Sequence, residues 1–228
     1  MCRMIVSLGK NIEVSKLLDD LIIIAKGNNE LNEKNKEKGM FKHSEGWGIA
    51  YVKNKKWHLY KSRFPIYEDP QVEELKKLKC KAVVIHARRR TVGKRSLQNI
   101  QPLKFSNKQE DFIFAHNGTI FDDFEEYHRY IQGDSDSVRM FNNIIYTYTH
   151  KDKQFRIRKY TSVNFILATK NKIKVVQKYK INPKYSTMKI LKEKERIIVS
   201  SEILPSYCTE KWKPIKNNTS LEFDLDKH

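Results

Sequence analysis

Cysteine is scarce in this chain of 228 residues: Cys2, Cys80 and Cys208 are the full set. An odd, sparse count argues against a disulfide framework and for a reducing compartment. Cys80 and Cys208 read as buried or incidental thiols. Glycine and proline are also few, eight and six. No stretch is rich enough in Pro, Gly or Ser to act as a linker, and no internal repeat is visible, so residues 1–228 read as one domain. Long apolar runs are missing. The longest, Leu17 to Ala25, is broken by Asp19 and Asp20 and is far too short to span a bilayer. No apolar h-region follows Cys2-Arg3, so no secretory signal is expected. The expectation is a cytoplasmic protein with no membrane partner. No G-x-x-x-x-G-K-[S/T] phosphate loop is present, and neither a cofactor nor a metal is expected.

Acidic residues are in deficit, 27 against 45 Lys and Arg, for a net charge of +18. Such a surplus raises the possibility of a nucleic-acid or acidic partner. The lysines, however, are scattered over Lys34 to Lys38, Lys53 to Lys56, Lys76 to Lys81 and Lys170 to Lys180. They form no stripe interleaved with aromatics. Any nucleic-acid binding is therefore expected to be weak, non-specific and lost between low and physiological salt.

Hydrophobic periodicity lays out the rest. Met4 to Leu8 reads as a buried strand. Leu17, Leu18, Leu21, Ile22 and Ala25 share one face of a helix over Val14 to Lys26, which Gly27-Asn28-Asn29 stops. Residues 28 to 40 are polar and read as a solvated loop or short helix. Gly46 to Val52 and Trp57 to Tyr60 form a hairpin, and a short helix is expected over Pro70 to Leu78. Lys81 to Arg88 is a continuous apolar strand with a basic end, followed by a polar loop from Arg89 to Asn99 that Pro102 closes. Asp111 to His116 is a further central strand, and Asn117-Gly118 reads as the turn that ends it. A helix is expected over Phe121 to Ile131. Gly133-Asp134-Ser135 caps another, with Val138, Phe141, Ile145 and Tyr148 on one face. Strands follow at Val163 to Thr169, Ile173 to Lys180, Thr187 to Leu191 and Arg196 to Ser201, with an edge strand at Leu221 to Leu225. The pattern is α+β, with helices on the outer faces of stacked sheets.

Cys2 follows the initiator methionine, and its small side chain permits methionine removal. The mature chain would then begin with a thiol and a free α-amine on one carbon. The thiol is a strong nucleophile. The amine, with a pKa of roughly 7.7–8, suits a general base near neutrality. Other polar groups collect at strand ends and in the loops beyond them: Arg88, Asn117-Gly118 and Asp136. Singly, each has an ordinary reading as surface ion pair, turn or helix cap.

Taken in order, these segments resemble the class II glutamine amidotransferases, whose glutaminase domain is an N-terminal-nucleophile (Ntn) hydrolase. The matching segments are Met1-Cys2, Gly46-Trp47-Gly48-Ile49-Ala50, His86-Ala87-Arg88 with Thr91 and Gly93, and Pro102. They continue through Phe114-Ala115-His116-Asn117-Gly118, Gly133-Asp134-Ser135-Asp136-Ser137 and Ser200-Ser201-Glu202. The Gly-Trp-Gly-Ile-Ala and Ala-His-Asn-Gly segments look most like the compact, stand-alone members. The resemblance implies a four-layer αββα sandwich with Cys2 as nucleophile and its α-amine as base. It also implies an oxyanion hole from the Asn117 side chain and the Gly118 N–H. Arg88 and Asp136 would hold the α-carboxylate and α-ammonium of glutamine, with Thr91 beside them. The reaction would pass through a γ-glutamyl thioester, and ammonia would go to an acceptor on a synthase partner chain.

The sequence departs from the family pattern at Arg89 and Arg90, which follow Arg88, at Val92 and Gln101 where histidine is common, and at Val138-Arg139. These departures leave open which arginine faces the site and what lies beyond glutamine in the substrate. Two other readings stand beside glutaminase: hydrolysis of a γ-glutamyl amide in a larger molecule, and an idle basic module that docks RNA or an acidic protein.

Overall fold

All ten strands expected from the sequence are present, joined by two that periodicity did not reveal. The computed structural model describes residues 2–29, 41–122, 126–150 and 156–227. In chain order the elements are β1 (Arg3–Gly9), α1 (Val14–Ala25), β2 (Trp47–Lys53), β3 (Lys56–Ser62), α2 (Val72–Leu75), β4 (Ala82–Ala87), β5 (Leu103–Ser106) and β6 (Asp111–Ile120). They continue with α3 (Asp136–His150), β7 (Tyr160–Ala168), β8 (Lys172–Gln177), α4 (Pro183–Ser186), β9 (Lys189–Lys192), β10 (Arg196–Ser200), β11 (Lys213–Pro214) and β12 (Thr219–Asp224). The short β5 and β11 are the two additions. The polar segment 28 to 40 lies, beyond Asn29, outside the described residues.

Two antiparallel sheets stack face to face. One has the order β11-β9-β10-β1-β4-β2-β3 and the other β12-β8-β7-β6-β5. Alternation along the strands then creates three apolar layers. Met4, Val6 and Leu8 of β1 and Val84 of β4 meet Ile113 and Ala115 of β6 and Ile166 of β7 between the sheets. Ile5, Ile49, Val83 and Ile85 point the other way, onto Leu17, Leu18, Leu21 and Ile24 of α1. Phe112 and Phe114 leave the far side of the second sheet to pack on Val138, Phe141 and Ile145 of α3. Phe114 and Phe141 stack with ring centroids 5.1 Å apart. Each fully buried Leu, Ile or Phe contributes about 1.5–3 kcal/mol, so the period-2 strands and period-3.6 helices together specify the αββα sandwich.

Two sequence expectations fail. The described residues of the segment Phe121 to Ile131 are not helical. Asn142 and Asn143 of α3 take up its backbone donors instead. Asn142 Oδ1 accepts from Tyr130 N and Ile131 N at 3.1 and 3.0 Å, and Asn143 Oδ1 accepts from Tyr127 N at 3.0 Å. Buried side-chain acceptors thus replace the i→i−4 bonds that a helix would supply. The second failure is Asn117-Gly118, which is no turn. β6 continues through it to Ile120, pairing Asn117 with Asn164 and Gly118 with Val163, and the register shifts between Gly118 and Ile120.

His86 on β4 is fully buried between the two sheets' strands, with little polar contact for its ring. Burial pushes its pKa down from 6.5 to about 3, with the Arg88 charge acting the same way. The unfolded chain therefore takes up a proton first as pH falls. Stability should drop at about 1.4 kcal/mol per pH unit for this group between roughly pH 6.5 and 3, with no contribution above that window. Urea unfolding of His86→Gln between pH 7 and 4.5 should show a pH slope smaller by about that amount. Equal slopes for the two proteins would rule His86 out as the source.

Candidate active site

β1 begins where the chain is pinned hardest. Met4 N donates to Ser201 Oγ at 3.0 Å, and Ser201 N donates back to Met4 O at 3.0 Å. Arg3 forms a buried ion pair with Glu202, and its guanidinium lies over the Tyr185 ring, 4.1 Å from the centroid. Removing one partner of such a buried pair strands the other charge, at a cost of about 3–5 kcal/mol. The Ser200-Ser201-Glu202 segment thus anchors the start of the chain. Cys2 is held at the mouth of the sandwich, half-buried rather than frayed.

The Cys2 sulfur lies 3.4 Å from the backbone N of Arg89, which donates to it, and 3.4 Å from the Arg89 carbonyl oxygen. Burial pushes the thiol up, while the Arg89 N–H and the Arg88 charge act against that rise. An approaching electrophile would therefore find a thiol whose own surroundings hold it protonated. It needs a nearby base to release the proton.

The three consecutive arginines separate in space. Arg88 is 3% exposed and turns inward, donating to the carbonyls of Val92 at 3.1 Å and Lys94 at 3.2 Å. Arg89 stacks on Phe41, its guanidinium carbon 3.4 Å from the ring centroid. Arg90 pairs with Glu45 at 3.1 Å in a half-exposed contact. The strand end explains the split. Arg88 N donates to Gly46 O at 2.8 Å, so the β pairing continues one residue past β4. The alternation then puts Arg88 inside and leaves its successors on the rim.

The loop after Arg88 is fastened to the start of α3. Gly93 has φ +81°, and a Cβ there would sit 2.9 Å from the Ser135 backbone, a fit that only glycine allows. Lys94 N donates to Asp134 Oδ1 at 3.0 Å. Asn99 Oδ1 accepts from Asp134 N and Ser135 N at 3.0 and 3.1 Å, and Asn99 Nδ2 reaches Lys94 O at 2.9 Å. Ser135 caps the helix through Val138 N at 3.3 Å, as its sequence position suggested. Asp136, 3% exposed, accepts from Ile120 N at 2.8 Å and from Ser137 N at 2.9 Å, which ties α3 to the end of β6.

On β6, Gly118 has φ +150°, and a Cβ would meet the Ser162 carbonyl oxygen at 1.8 Å. β7 therefore crowds this position to the point where only glycine fits. Asn117 is 4% exposed, its Oδ1 has no hydrogen-bond partner, and its backbone carbonyl accepts from Ser162 Oγ at 2.9 Å. Thr119 Oγ1 donates to Thr91 Oγ1 at 3.0 Å, closing the loop over the strand end.

Cys2, Arg88, Thr91, Gly118 and Asp136 line one cleft of about 20 Å³. Asn117, the remaining residue of the expected set, is next to Gly118 in β6 but does not line that cleft. Gln101, His116 and Ser137 line the same cleft and are joined by contacts that the sequence did not disclose. Gln101 Oε1 accepts from His116 N at 2.6 Å, and Gln101 Nε2 donates to Ser137 Oγ at 3.2 Å. The Ser137 hydroxyl is in turn 2.9 Å from His116 Nδ1. Burial lowers the His116 pKa, so the ring is held neutral. His116 lies in one of the family-like segments and Gln101 is a departure from the family pattern, but only the fold shows that Gln101 braces His116. Among the described residues, no group of three or more His, Cys, Asp or Glu gathers as a metal site. No helix among them is long and apolar enough to cross a membrane.

Comparison with known proteins places the fold and the family. The family model for glutamine amidotransferases class-II matches residues 31–175, a segment that begins after Cys2. The Bacillus subtilis glutamine phosphoribosylpyrophosphate amidotransferase superposes with a TM-score of 0.66 at 17% identity, over 99% of this chain and 48% of that one. A class-II domain protein from Silicibacter pomeroyi superposes at 0.60 and 14% identity, over 97% and 94% of the two chains. An uncharacterized Methanocaldococcus jannaschii protein is 29% identical over 103 residues, 43% of this chain and 29% of its own length. The chain thus spans about half of the Bacillus enzyme, and the aligned stretch less than a third of the archaeal protein. The shared fold is the Ntn-hydrolase αββα sandwich.

Proposed function

Because the chain belongs to the class II glutamine amidotransferases, we propose that it hydrolyses the side-chain amide of glutamine through Cys2, after loss of Met1. The observation that carries the reading is the meeting of Cys2, Arg88, Gly118 and Asp136 around one cleft. These groups come from the starts of β1 and α3 and from the ends of β4 and β6. In this reading the free α-amine of Cys2 takes the thiol proton, and sulfur attacks the γ-carboxamide carbon. The oxyanion is met by the Asn117 amide and the Gly118 N–H. The amine returns the proton to the leaving nitrogen, and ammonia departs from a γ-glutamyl thioester. Water then attacks the thioester, and glutamate leaves with the thiol restored.

Arg88 would grip the glutamine α-carboxylate as a planar fork, while Asp136 receives the α-ammonium with the acceptor capacity its two backbone bonds leave. A free volume of about 20 Å³ is room for little more than water. Glutamine entry therefore requires the Arg89 to Lys94 loop to swing aside. The substrate carboxylate would then replace the Val92 and Lys94 carbonyls on Arg88. The acceptor that captures ammonia, in this reading, lies outside these 228 residues.

Incubation with a glutamine-mimicking electrophile, followed by intact and peptide mass spectrometry, tests the proposal. One adduct on Cys2, in chains lacking Met1, is expected. Labelling of Cys80 or Cys208 instead, or full activity with Met1 retained, would defeat it.

Arg88→Lys should chiefly raise KM for glutamine, by on the order of tenfold or more, because a point charge cannot reproduce the fork. Arg89→Lys and Arg90→Lys, on the rim, should change it far less. Steady-state kinetics on the three variants decide this, and a damaging Arg90→Lys would mean that the rim arginine binds substrate.

A further inference from the structure

The lysines that look scattered in the sequence are not scattered in the fold. In an antiparallel sandwich, alternate strand ends share one pole. Cys2 and Arg88 stand at one pole, and the far ends of the same strands make the other. Leu8 of β1 pairs with Ala82 of β4, and Lys53 of β2 pairs with Lys56 of β3. Trp57 Nε1 donates to Thr169 O at 2.9 Å and Leu225 N to Asn171 O at 2.8 Å, which brings the β7–β8 turn and the end of β12 to the same pole. A cleft of about 990 Å³ opens there. Its floor includes Val52, Ala82 and Leu225, the exposed end of the inter-sheet core. Its walls carry Lys10, Lys53, Lys55, Lys79, Lys81 and Lys170 against one carboxylate, Asp226.

Three properties bear on what these six lysines, all gathered around one depression, could hold. First, none has an ion-pair partner among the described residues. Lys76, Lys77 and Lys172 elsewhere are paired, while Lys211, Lys213 and Lys216 are not, so it is the clustering around one cleft rather than the missing partners that distinguishes the six. Like charges gathered around one depression repel, and a bound anion would relieve that repulsion. Second, Lys55 has φ +59° in the two-residue turn after Asn54, a left-handed position where glycine is favoured. A lysine there costs about 1 kcal/mol of backbone strain, and strain of this kind suggests a functional demand. Third, the volume is at the upper end of ligand pockets, about 300–1,000 Å³, and all six lysines line that one space. Cys80, which also lines the cleft, is pushed up to about 11 by burial and offers no nucleophile near neutrality. The cleft is equipped for binding, not for chemistry.

We infer that this cleft is a binding site for a compact polyanion carrying several phosphates. It lies roughly 20 Å from Cys2, the length of the seven residues of β1, and it does not depend on the glutaminase reading. An extended nucleic acid fits less well, because its regularly spaced phosphates call for a basic stripe running beyond a single cleft.

Isothermal titration of the full chain with inorganic tripolyphosphate at near-physiological salt tests this. One saturable site per chain is expected. The triple variant Lys53→Gln, Lys81→Gln, Lys170→Gln should weaken binding at least tenfold. The charge-matched triple Lys211→Gln, Lys213→Gln, Lys216→Gln, away from the cleft, should change it less than twofold. No saturable binding would overturn the inference. So would equal losses in the two triples, which would mark diffuse net charge. Binding of a single-stranded RNA oligonucleotide but not tripolyphosphate would overturn it in favour of a nucleic-acid surface.

Discussion

Cys2→Ala is expected to release no measurable ammonia from glutamine while folding as the parent does. The fold should tolerate the change because, among the described residues, the sulfur's hydrogen-bonding contacts are with the Arg89 backbone, at 3.4 Å. The neighbouring residues stay pinned by the Met4–Ser201 bonds and the Arg3–Glu202 pair. Chemistry should not tolerate it, since alanine leaves the amine without a nucleophile to activate. Cys2→Ser should keep a trace, because an alcohol is a far weaker nucleophile near neutrality. Cys80→Ala and Cys208→Ala serve as controls and should retain full turnover. Burial holds the Cys80 thiol protonated, and Cys208 is exposed in a different part of the chain. Ammonia release, circular dichroism and thermal unfolding on the four variants give the answer. Turnover that survives in Cys2→Ala would remove the N-terminal thiol from the mechanism.

How much of this was legible beforehand follows from what each feature depends on. The strands and both long helices depend on periodic burial, which the sequence displays. The sandwich then follows, because Ile5 and Met4 need opposite apolar faces. β5 and β11 were hidden because Leu103 to Ser106 and Lys213-Pro214 are too short to show a period. The segment before α3 was misread because its apolar spacing, Phe121, Tyr127, Tyr130 and Ile131, imitates a helix. The decisive acceptors, Asn142 and Asn143, lie more than ten residues further along. Asn117-Gly118 was misread for a similar reason. The dipeptide is a strong local turn signal, and only the close passage of Ser162 on β7 explains why glycine is required inside a strand. At the site, Cys2, Arg88 and Asp136 could be picked out by position and chemistry. The bracing of His116 by Gln101 and Ser137 could not, since it joins three elements across the second sheet. The lysine cleft was least legible of all. Its charges come from five separate turns and strand ends, and nothing in the linear order says that these share a pole.

Asn117→Ala should lower kcat by about 10²–10³, the usual effect of losing one oxyanion donor, with KM for glutamine little changed. The residue is buried near the end of β6, and the backbone on either side of it is fixed. Its carbonyl is held by Ser162 Oγ at 2.9 Å, and the next position admits no side chain. The amide Oδ1 has no hydrogen-bond partner. Its truncation therefore breaks no bond through that oxygen and should cost the fold less than the usual loss of a bonded buried amide. Asn117→Asp makes the sharper test. It keeps the shape but replaces an N–H donor with a carboxylate that repels a developing oxyanion, so kcat should fall at least as far as in the alanine variant. Gly118→Ala is expected to fail differently. A Cβ 1.8 Å from a carbonyl oxygen forces β6 and β7 apart, so stability and activity should fall together. Kinetics paired with urea unfolding separate the two outcomes. A donor role requires that Asn117→Ala lose kcat at nearly unchanged stability, and that Asn117→Asp not recover it. If Asn117→Asp instead turned over as the parent does, the amide N–H could not be stabilising the transition state, and the oxyanion would have to be met by backbone donors alone.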